Sequence, residues 1–530
     1  MSPPGAQRRR SAPPGTVFPG CYVDTVTVRQ DDHALLLLRF SGELSTKAKA
    51  TRRQFVTQLM RNLRDALASE GITGEIERHY DRLFVHLPAS EAGAGEEALG
   101  RVFGVQSLSR AVRREVGDIE ELVDQGEALF GDAVRGRRFA VRARVVGVRR
   151  AHAPRRREIE VALGARLRPA SAGVDLEAPE LTVRLELYGD HAYYFTHTRS
   201  GAAGLPLASE SRALALVSGG FDSPVAAWHL LRRGVELDYL FCNLGGATHR
   251  LGTLRVMQVL ARDWSYGTRP RLHAVDFVAV SRHLRERTEP RYWQVILKRL
   301  MLRAAEKVAR ERRARALVTG EAVGQVSSQT LANLATIEEA SALPILRPLV
   351  GFHKEEIIAR AEAIGTASLS AVVGEYCALV PRRPATRARL DTVREQEARM
   401  DPAILEAAVA TREMIDLRSV DPDDSGMPEI ETDVLPEDAV LIDLRSRAEY
   451  ESWHAPGALH LDFGRALRAY PSFAREQVYV FCCAYGLKSA HLAEMMHKEG
   501  LQAWHFRGGT RALRRHLDKE AASRQRRGAD

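Results

Sequence analysis

The stretch Ser218-Gly-Gly-Phe-Asp-Ser-Pro224 gathers groups suited to holding a phosphorylated ligand. Gly219 and Gly220 permit a sharp bend and a close backbone approach. Ser218 and Ser223 add hydroxyls, Asp222 adds a carboxylate, and the N–H groups of the turn converge on an anion. Ser223 fits a helix N-cap and Pro224 the first helical position. The helix expected over Val225–Arg233 carries Arg232 and Arg233 in its last turn and is followed by Gly234, as a helix C-terminus favours. The G-x-x-x-x-G-K-[ST] of the Walker loop is absent, so this is a different phosphate loop. A lone S-G-G turn is equally compatible with a solvated bend.

A second group of residues suits sulfur chemistry. Five cysteines in 530 residues, with no C-x-x-C pair, mark neither a disulfide scaffold nor a zinc or iron–sulfur site. Cys483 opens a loop, Cys-Ala-Tyr-Gly-Leu-Lys-Ser489, between the apolar run Val478–Phe481 and a helix. Loop N–H groups, the helix N-terminus and Lys488 would stabilise a thiolate or persulfide there. Strand alternation turns the neighbouring Cys482 into the core. Asp443 and Arg445 read as a structural ion pair. Phe241 and Cys242 end a strand where an adenine could pack, and Cys21 has no evident role.

The elements that must position these groups follow from periodicity. Strands expected at Ala213–Val217, Glu236–Cys242, Arg271–Phe277 and Ala316–Thr319 alternate with helices, which predicts a doubly wound parallel sheet. Ser218–Ser223, Asn243–Gly246 and Gly320–Gln329 then lie at the carboxyl ends of the strands, where such sheets bind ligands. Nearer the amino terminus, strand Ala34–Phe40 precedes a helix, Arg53–Leu67, with Phe55, Leu59, Leu63 and Leu67 on one face. Phe139–Val146 alternates apolar and basic residues, burying one face and presenting Arg142 and Arg144 on the other. Gly201–Pro206 reads as a hinge, the acidic Asp421–Pro428 as a linker and Ala439–Leu444 as a further strand.

The loop resembles that of the PP-loop ATP pyrophosphatases, which split ATP into AMP and pyrophosphate and adenylate a substrate oxygen. Asn243-Leu-Gly-Gly, Ile296-Leu-Lys-Arg299, the Val318–Thr330 string, Leu346-Arg-Pro-Leu349 and Glu375-Tyr-Cys377 follow in an order similar to that of the tRNA 4-thiouridine synthases (tRNA sulfurtransferase, ThiI). The resemblance runs from about Val23 to Leu517. It implies that Leu216 and Val217 line the nucleotide and that Ser218, Gly219, Gly220 and Ser223 cradle pyrophosphate. Asp222 would hold magnesium or orient the leaving group, and Lys298, Gly320 and Gln329 would contact ATP. Gly42–Lys49 resembles the family's ferredoxin-like segment, which would put Lys47 and Lys49 near RNA phosphates. The following region resembles a THUMP domain, with Arg142 and Arg144 as RNA contacts. Ile442–Arg445, His454–Ala458 and Val478–Ser489 resemble a rhodanese domain, with Cys483 as the persulfide carrier. Cys377 matches the cysteine that pairs with it as a disulfide.

The expected chain is therefore multidomain α/β and α+β: a tail over 1–20, a ferredoxin-like segment over 21–75, a THUMP domain over 76–200, a doubly wound PP-loop domain over 201–395, a helix and linker over 396–434, and a rhodanese-like α/β domain over 435–520. The implied activity is ATP-dependent formation of 4-thiouridine at position 8 of tRNA, with magnesium accompanying ATP and a cysteine desulfurase as sulfur donor. Sulfur relay to a carrier protein of thiamine thiazole synthesis is an added role or the alternative main one, and would need Cys483 but not Asp222. Relatives suggest a homodimer. A net charge of +9 suits a polyanionic partner. No apolar run is long enough to span a bilayer, and Met1–Gly20 lacks the apolar core of a signal peptide, so a cytoplasmic location is expected.

Overall fold

The computed structural model describes residues 33–79, 81–146, 154–371, 373, 383–420, 430–436, 438–484 and 486–527. The expected tail, Cys21, the Glu375-Tyr-Cys377 string and the Asp421–Pro428 linker lie outside the described residues. The chain divides into two compact units at about residue 207.

The first unit opens with β1 (His33–Phe40), α1 (Lys49–Ser69), β2 (Glu75–His79), β3 (Arg82–Pro88), α2 (Ala92–Gly100) and β4 (Val105–Glu115). β1 pairs antiparallel with β3 and β4, giving the order β2-β3-β1-β4 of a ferredoxin-like βαββαβ unit. Leu35 to Leu38 are all buried, so β1 is covered on both faces. Phe55, Leu59, Leu63 and Leu67 form the buried stripe of α1. Each such side chain contributes roughly 1.5–3 kcal/mol when fully buried. The βαββαβ path closes only at Glu115 and so runs beyond residue 75.

The sheet then continues through α3 (Ile119–Phe130), β5 (Arg138–Val146), α4 (Arg156–Leu167), β6 (Leu181–Tyr188) and β7 (His191–Phe195). β7 joins β4, extending the order to β4-β7-β6-β5, with β5 and β6 parallel. Leu122 and Phe130 of α3 and Ile159 and Leu163 of α4 pack against Phe139, Val141, Val183 and Leu185 of the sheet. The Asp118 carboxylate accepts from the Glu121 amide at 2.9 Å and caps α3.

The second unit is built on β8 (Glu210–Val217), α5 (Asp222–Leu231), β9 (Val235–Asn243), α6 (Gly246–Asp263), β10 (Arg271–Asp276), α7 (Trp293–Glu311), β11 (Leu317–Val318), β12 (Ile345–Leu346), α8 (Lys354–Ile364) and β13 (Glu413–Asp416). The strand order is β12-β11-β8-β9-β10-β13, parallel except for β13. The chain starts in the middle at β8, winds outward through β9 and β10, and returns to β11 on the other side. That reversal is the switch point at which a doubly wound sheet opens a crevice. Ala213, Leu214, Ala215 and Val217 are buried, as the unbroken apolar run of a central parallel strand requires.

The same unit ends in a smaller parallel sheet formed by β14 (Glu431–Thr432), β15 (Val440–Asp443), β16 (Leu459–His460), β17 (Tyr479–Cys482) and β18 (Ala503–Phe506), in the order β14-β18-β17-β15-β16. Helices α9 (Leu487–Lys498) and α10 (Gly509–Arg527) accompany it. Among the described residues no helix is long and apolar enough to cross a membrane.

Candidate functional site: a phosphate loop and a cysteine loop

The switch point sets the loop after β8 against the loop after β11. A Cβ on Gly320 would stand 2.9 Å from the carbonyl carbon of Asp222 and 2.9 Å from the Ser223 nitrogen. The two backbones therefore touch, and only glycine fits. Gly219 has φ of +75°, and a Cβ there would meet Thr253 at 2.9 Å and Val373 at 3.0 Å. This is the close approach expected of the S-G-G turn. Leu216 is half-buried, Val217 is buried and Ser218 is exposed at the strand's end.

Ser223 behaves differently from the sequence reading. The helix begins at Asp222, with Phe221 at the N-cap. The buried Ser223 hydroxyl instead accepts from the Ser218 amide at 3.2 Å, closing the loop on itself. The expected N-cap is displaced because the turn uses that hydroxyl first. Likewise Phe241 is buried and packed edge-on against His249 at 4.7 Å, so an adenine has no open face there. Burial pushes the Cys242 thiol well up, as for an inert core cysteine.

The Asp222 carboxylate has two partners that sequence reasoning missed. Lys354 Nζ donates to Oδ1 at 2.7 Å, and Gln325 Nε2 donates to Oδ2 at 3.0 Å. Lys354 opens α8, the end of a helix where a cation is unfavourable. That misplaced charge was the available signal. Lys298 Nζ pairs with Glu321 at 2.7 Å, and Glu321 also accepts from Arg347 at 2.9 Å and Thr319 at 3.1 Å. Burial disfavours the Glu321 carboxylate, yet Lys298 and Arg347 outweigh it and hold its pKa below the usual range. Gln329 staples its own loop, its side-chain carbonyl accepting from the Ala322 amide at 3.3 Å. Ser370 donates to the Gly220 carbonyl at 3.3 Å. With Val373 beside Gly219, the described chain thus passes along the phosphate loop four positions short of Cys377.

Cys483 is buried at the end of β17, where the chain turns into α9. Its Sγ receives the Ser489 amide at 3.5 Å and lies 3.4 Å from the Ser489 hydroxyl. That hydroxyl donates to the Gly486 carbonyl at 3.0 Å, so the amide is the first-turn donor of α9 that faces the sulfur, as stabilising a sulfur anion requires. The Lys488 ammonium lies over the Phe463 ring at 5.9 Å. A Cβ on Gly509 would stand 2.5 Å from the Cys483 carbonyl oxygen, so the Gly508-Gly509 turn fixes the cysteine loop from outside. Cys482 belongs to the apolar core, and burial raises its pKa strongly. Asp443 and Arg445 form a two-pronged pair with contacts of 2.6–3.1 Å, and Arg445 also holds the Trp453 carbonyl.

In the first unit, Arg142, Arg144, Arg155, Arg156 and Arg184 line a cavity of about 590 Å³. Glu186 on its wall binds Arg39 at 2.7 Å and Arg82 at 2.9 Å. Arg142 also donates to the Leu176 carbonyl at 2.6 Å. Lys47 and Lys49 are exposed, with Lys47 Nζ 5.7 Å from the Phe55 ring. The first unit thus carries basic groups on its surface and in a cavity.

Family models match three stretches: Thiamine biosynthesis protein (ThiI) over residues 208–401, ThiI ferredoxin-like domain over 35–109, and Rhodanese-like domain over 431–516. A tRNA sulfurtransferase of Pyrobaculum aerophilum is 39% identical over 88% of this chain and 95% of its own length. One from Desulfurococcus amylolyticus is 37% identical over 91% and 99%. One from Aeromonas salmonicida is 33% identical over 88% and 98%. Among solved structures, a 4-thiouridine synthetase–RNA complex with bound ATP aligns with a TM-score of 0.63 and 28% identity, covering 72% of this chain and 99% of that one.

Proposed function

Because the chain belongs to the ThiI family of tRNA sulfurtransferases, we propose that it is an enzyme that uses ATP to replace the C4 oxygen of uridine 8 in tRNA with sulfur. The observation that carries this reading is the meeting of Ser218–Ser223 with Gly320, beside the Asp222–Lys354 pair, in the unit that also bears Cys483. The first unit, with Lys47, Lys49, Arg142 and Arg144, supplies the tRNA contacts.

The uridine C4 oxygen attacks the α-phosphorus of ATP, and the bond to pyrophosphate breaks. N–H groups of the Ser218–Ser223 loop receive the charge on the departing pyrophosphate. Lys354 and Lys298, now paired with Asp222 and Glu321, are the cations that would neutralise it. Magnesium bound with the phosphates would screen their charge, and Asp222 is the loop carboxylate that would hold it. Leu216, Val217, Gly320 and Gln329 complete the nucleotide contacts.

A cysteine desulfurase loads Cys483 as a persulfide. Its terminal sulfur attacks C4, and AMP leaves. The Cys377 thiolate then attacks Cys483 Sγ, which frees the thiouridine and forms a Cys377–Cys483 disulfide. In a variant order Cys377 first releases hydrosulfide, which attacks C4. Either order consumes two electrons per turnover from a dithiol reductant. The test is mass spectrometry of tRNA nucleosides after multiple turnover. 4-Thiouridine is expected with the parent protein and not with Asp222→Ala, Cys483→Ala or Cys377→Ala. Product surviving Asp222→Ala refutes the ATP-loop assignment.

The ThiI model's description as a thiamine biosynthesis protein favours a second role, sulfur relay from Cys483 to a carrier protein. That role would survive Asp222→Ala.

A further inference from the structure

Helix α9 does more than carry the cysteine loop at its N-terminus. Its Glu494 reaches across to the nucleotide-site domain and binds the first turn of α6. Oε1 accepts from the Ala247 amide at 3.0 Å, and Oε2 accepts from the Thr248 amide at 3.1 Å and the Thr248 hydroxyl at 2.9 Å. Lys498, one turn along, donates to Oε1 at 2.9 Å. Glu494 is itself only 12% exposed. First-turn amides have no partner within their own helix. The carboxylate therefore fills a demand that α6 cannot meet. Gly246, with φ of +77°, leaves the room: a Cβ there would overlap Glu494 Oε1.

The contact leads on to the phosphate loop. His249, the residue after Thr248, has Nε2 at 3.3 Å from the Ser218 carbonyl, which can only accept, so Nε2 carries the proton. His491, one turn before Glu494, is buried in the same neighbourhood and bears electrostatically on His249. Burial disfavours the Glu494 carboxylate, but Lys498 and the Thr248 and Ala247 amides outweigh it and keep it charged. From Glu494 back to Leu487 is seven residues, about 10 Å along the helix. One end of α9 thus holds Cys483, and its middle sits on a turn that touches the first residue of the phosphate loop.

We propose that Glu494 is a positioning residue, whose seat on the first turn of α6 holds the cysteine-bearing domain in the arrangement from which Cys483 delivers sulfur. This rests on the sulfur-transfer reading above and adds the interdomain seat to it. A tethered domain meets its site at high effective concentration, so one charge-assisted contact is enough to bias docking. Loss of such a contact shifts the docked population by tenfold or more.

Two measurements on the full chain test this. Hydrogen exchange reads the seat directly, because the Ala247 and Thr248 amides are protected only while Glu494 accepts them. They are expected to exchange at least tenfold faster in Glu494→Ala, with Glu494→Gln between. Single-turnover transfer from preloaded Cys483 persulfide to tRNA is expected to fall about tenfold in Glu494→Ala. Loading of Cys483 should stay within twofold, which establishes that the domain is folded. Rapid exchange of these amides in the parent protein, or transfer at an unchanged or raised rate in Glu494→Ala, overturns the proposal. If Cys483→Ala still thiolates tRNA, the sulfur-transfer reading fails instead, while the exchange measurement still decides whether the seat exists.

Discussion

Replacing Lys354 by alanine separates a structural from a catalytic reading of the Asp222 cluster. The ion pair is short, 2.7 Å, but its side chains are 39% and 24% exposed. Solvent screening limits a pair of that kind to about 1 kcal/mol of stability or less. Gln325 still holds the other carboxylate oxygen at 3.0 Å, so Asp222 keeps a partner. If Lys354 were only a strut, urea unfolding and turnover would change together and modestly, by less than about tenfold in rate. If its ammonium serves the phosphates as their charge grows, its removal costs about 10²–10³ in rate, or roughly 3–4 kcal/mol of transition-state stabilisation. The assay is pyrophosphate release in a single turnover at saturating ATP and tRNA, beside urea unfolding. The expected result for Lys354→Ala is a rate at least a hundredfold lower with about 1 kcal/mol or less of lost stability. Lys354→Arg should recover part of it. Because groups acting as a unit are non-additive, adding Lys354→Ala to Asp222→Ala should cost little beyond Asp222→Ala alone. A loss below tenfold that tracks stability, or fully additive effects, refutes the role.

Gly320→Ala should raise the Kd for ATP at least tenfold by calorimetry, since its Cβ would press on the Asp222–Ser223 backbone at 2.9 Å; unchanged binding would mean that the two loops yield freely. Gly509→Ala, at φ of +68° and 2.5 Å from the Cys483 carbonyl, should cut persulfide accumulation on Cys483 at least tenfold in a radiolabelled-sulfur assay, and normal loading would contradict the packing argument. Burial lowers the pKa of His249, His273 and His491 to about 4 from 6.5. Ser218 and His491 face the first, Asp238, Arg412, Arg312 and Glu311 the second, and Glu494 and Lys498 the third. Since the folded values lie below the unfolded ones, this contribution is complete above about pH 6.5 and declines as the pH falls toward 4. Each imidazole contributes roughly 1–3 kcal/mol. Urea unfolding that is flat from pH 7 to 4.5 would show these histidines to be solvated.

Local pattern carried far in this chain. The unbroken run Ala213–Val217, followed by two glycines, is readable as a buried strand and a phosphate turn because both properties reside in consecutive residues. The period-four stripe of α1 and the basic alternation of β5 are equally local. Cys483 was separable from Cys482 because alternation along a strand is a short-range rule. The N-cap at Ser223 was misjudged for the opposite reason: its hydroxyl is claimed by the Ser218 amide, and that competition depends on how the loop folds back. The antiparallel strand β13 within the expected helix-and-linker stretch also had to wait, since four residues acquire strand character only from the β10 edge they meet.

What the amino-acid order determined by itself is the set of chemical groups and the local frames that hold them: a glycine turn after a strand, a cysteine before a helix, basic residues on one face. What only the tertiary structure decided is which distant groups share a site. Lys354 lies 132 positions from Asp222, and Glu494 lies 246 from Thr248. No periodicity spans such gaps. A charge becomes a partner there only when the sheet order and helix packing bring it within hydrogen-bond reach, and that reach depends on the whole fold.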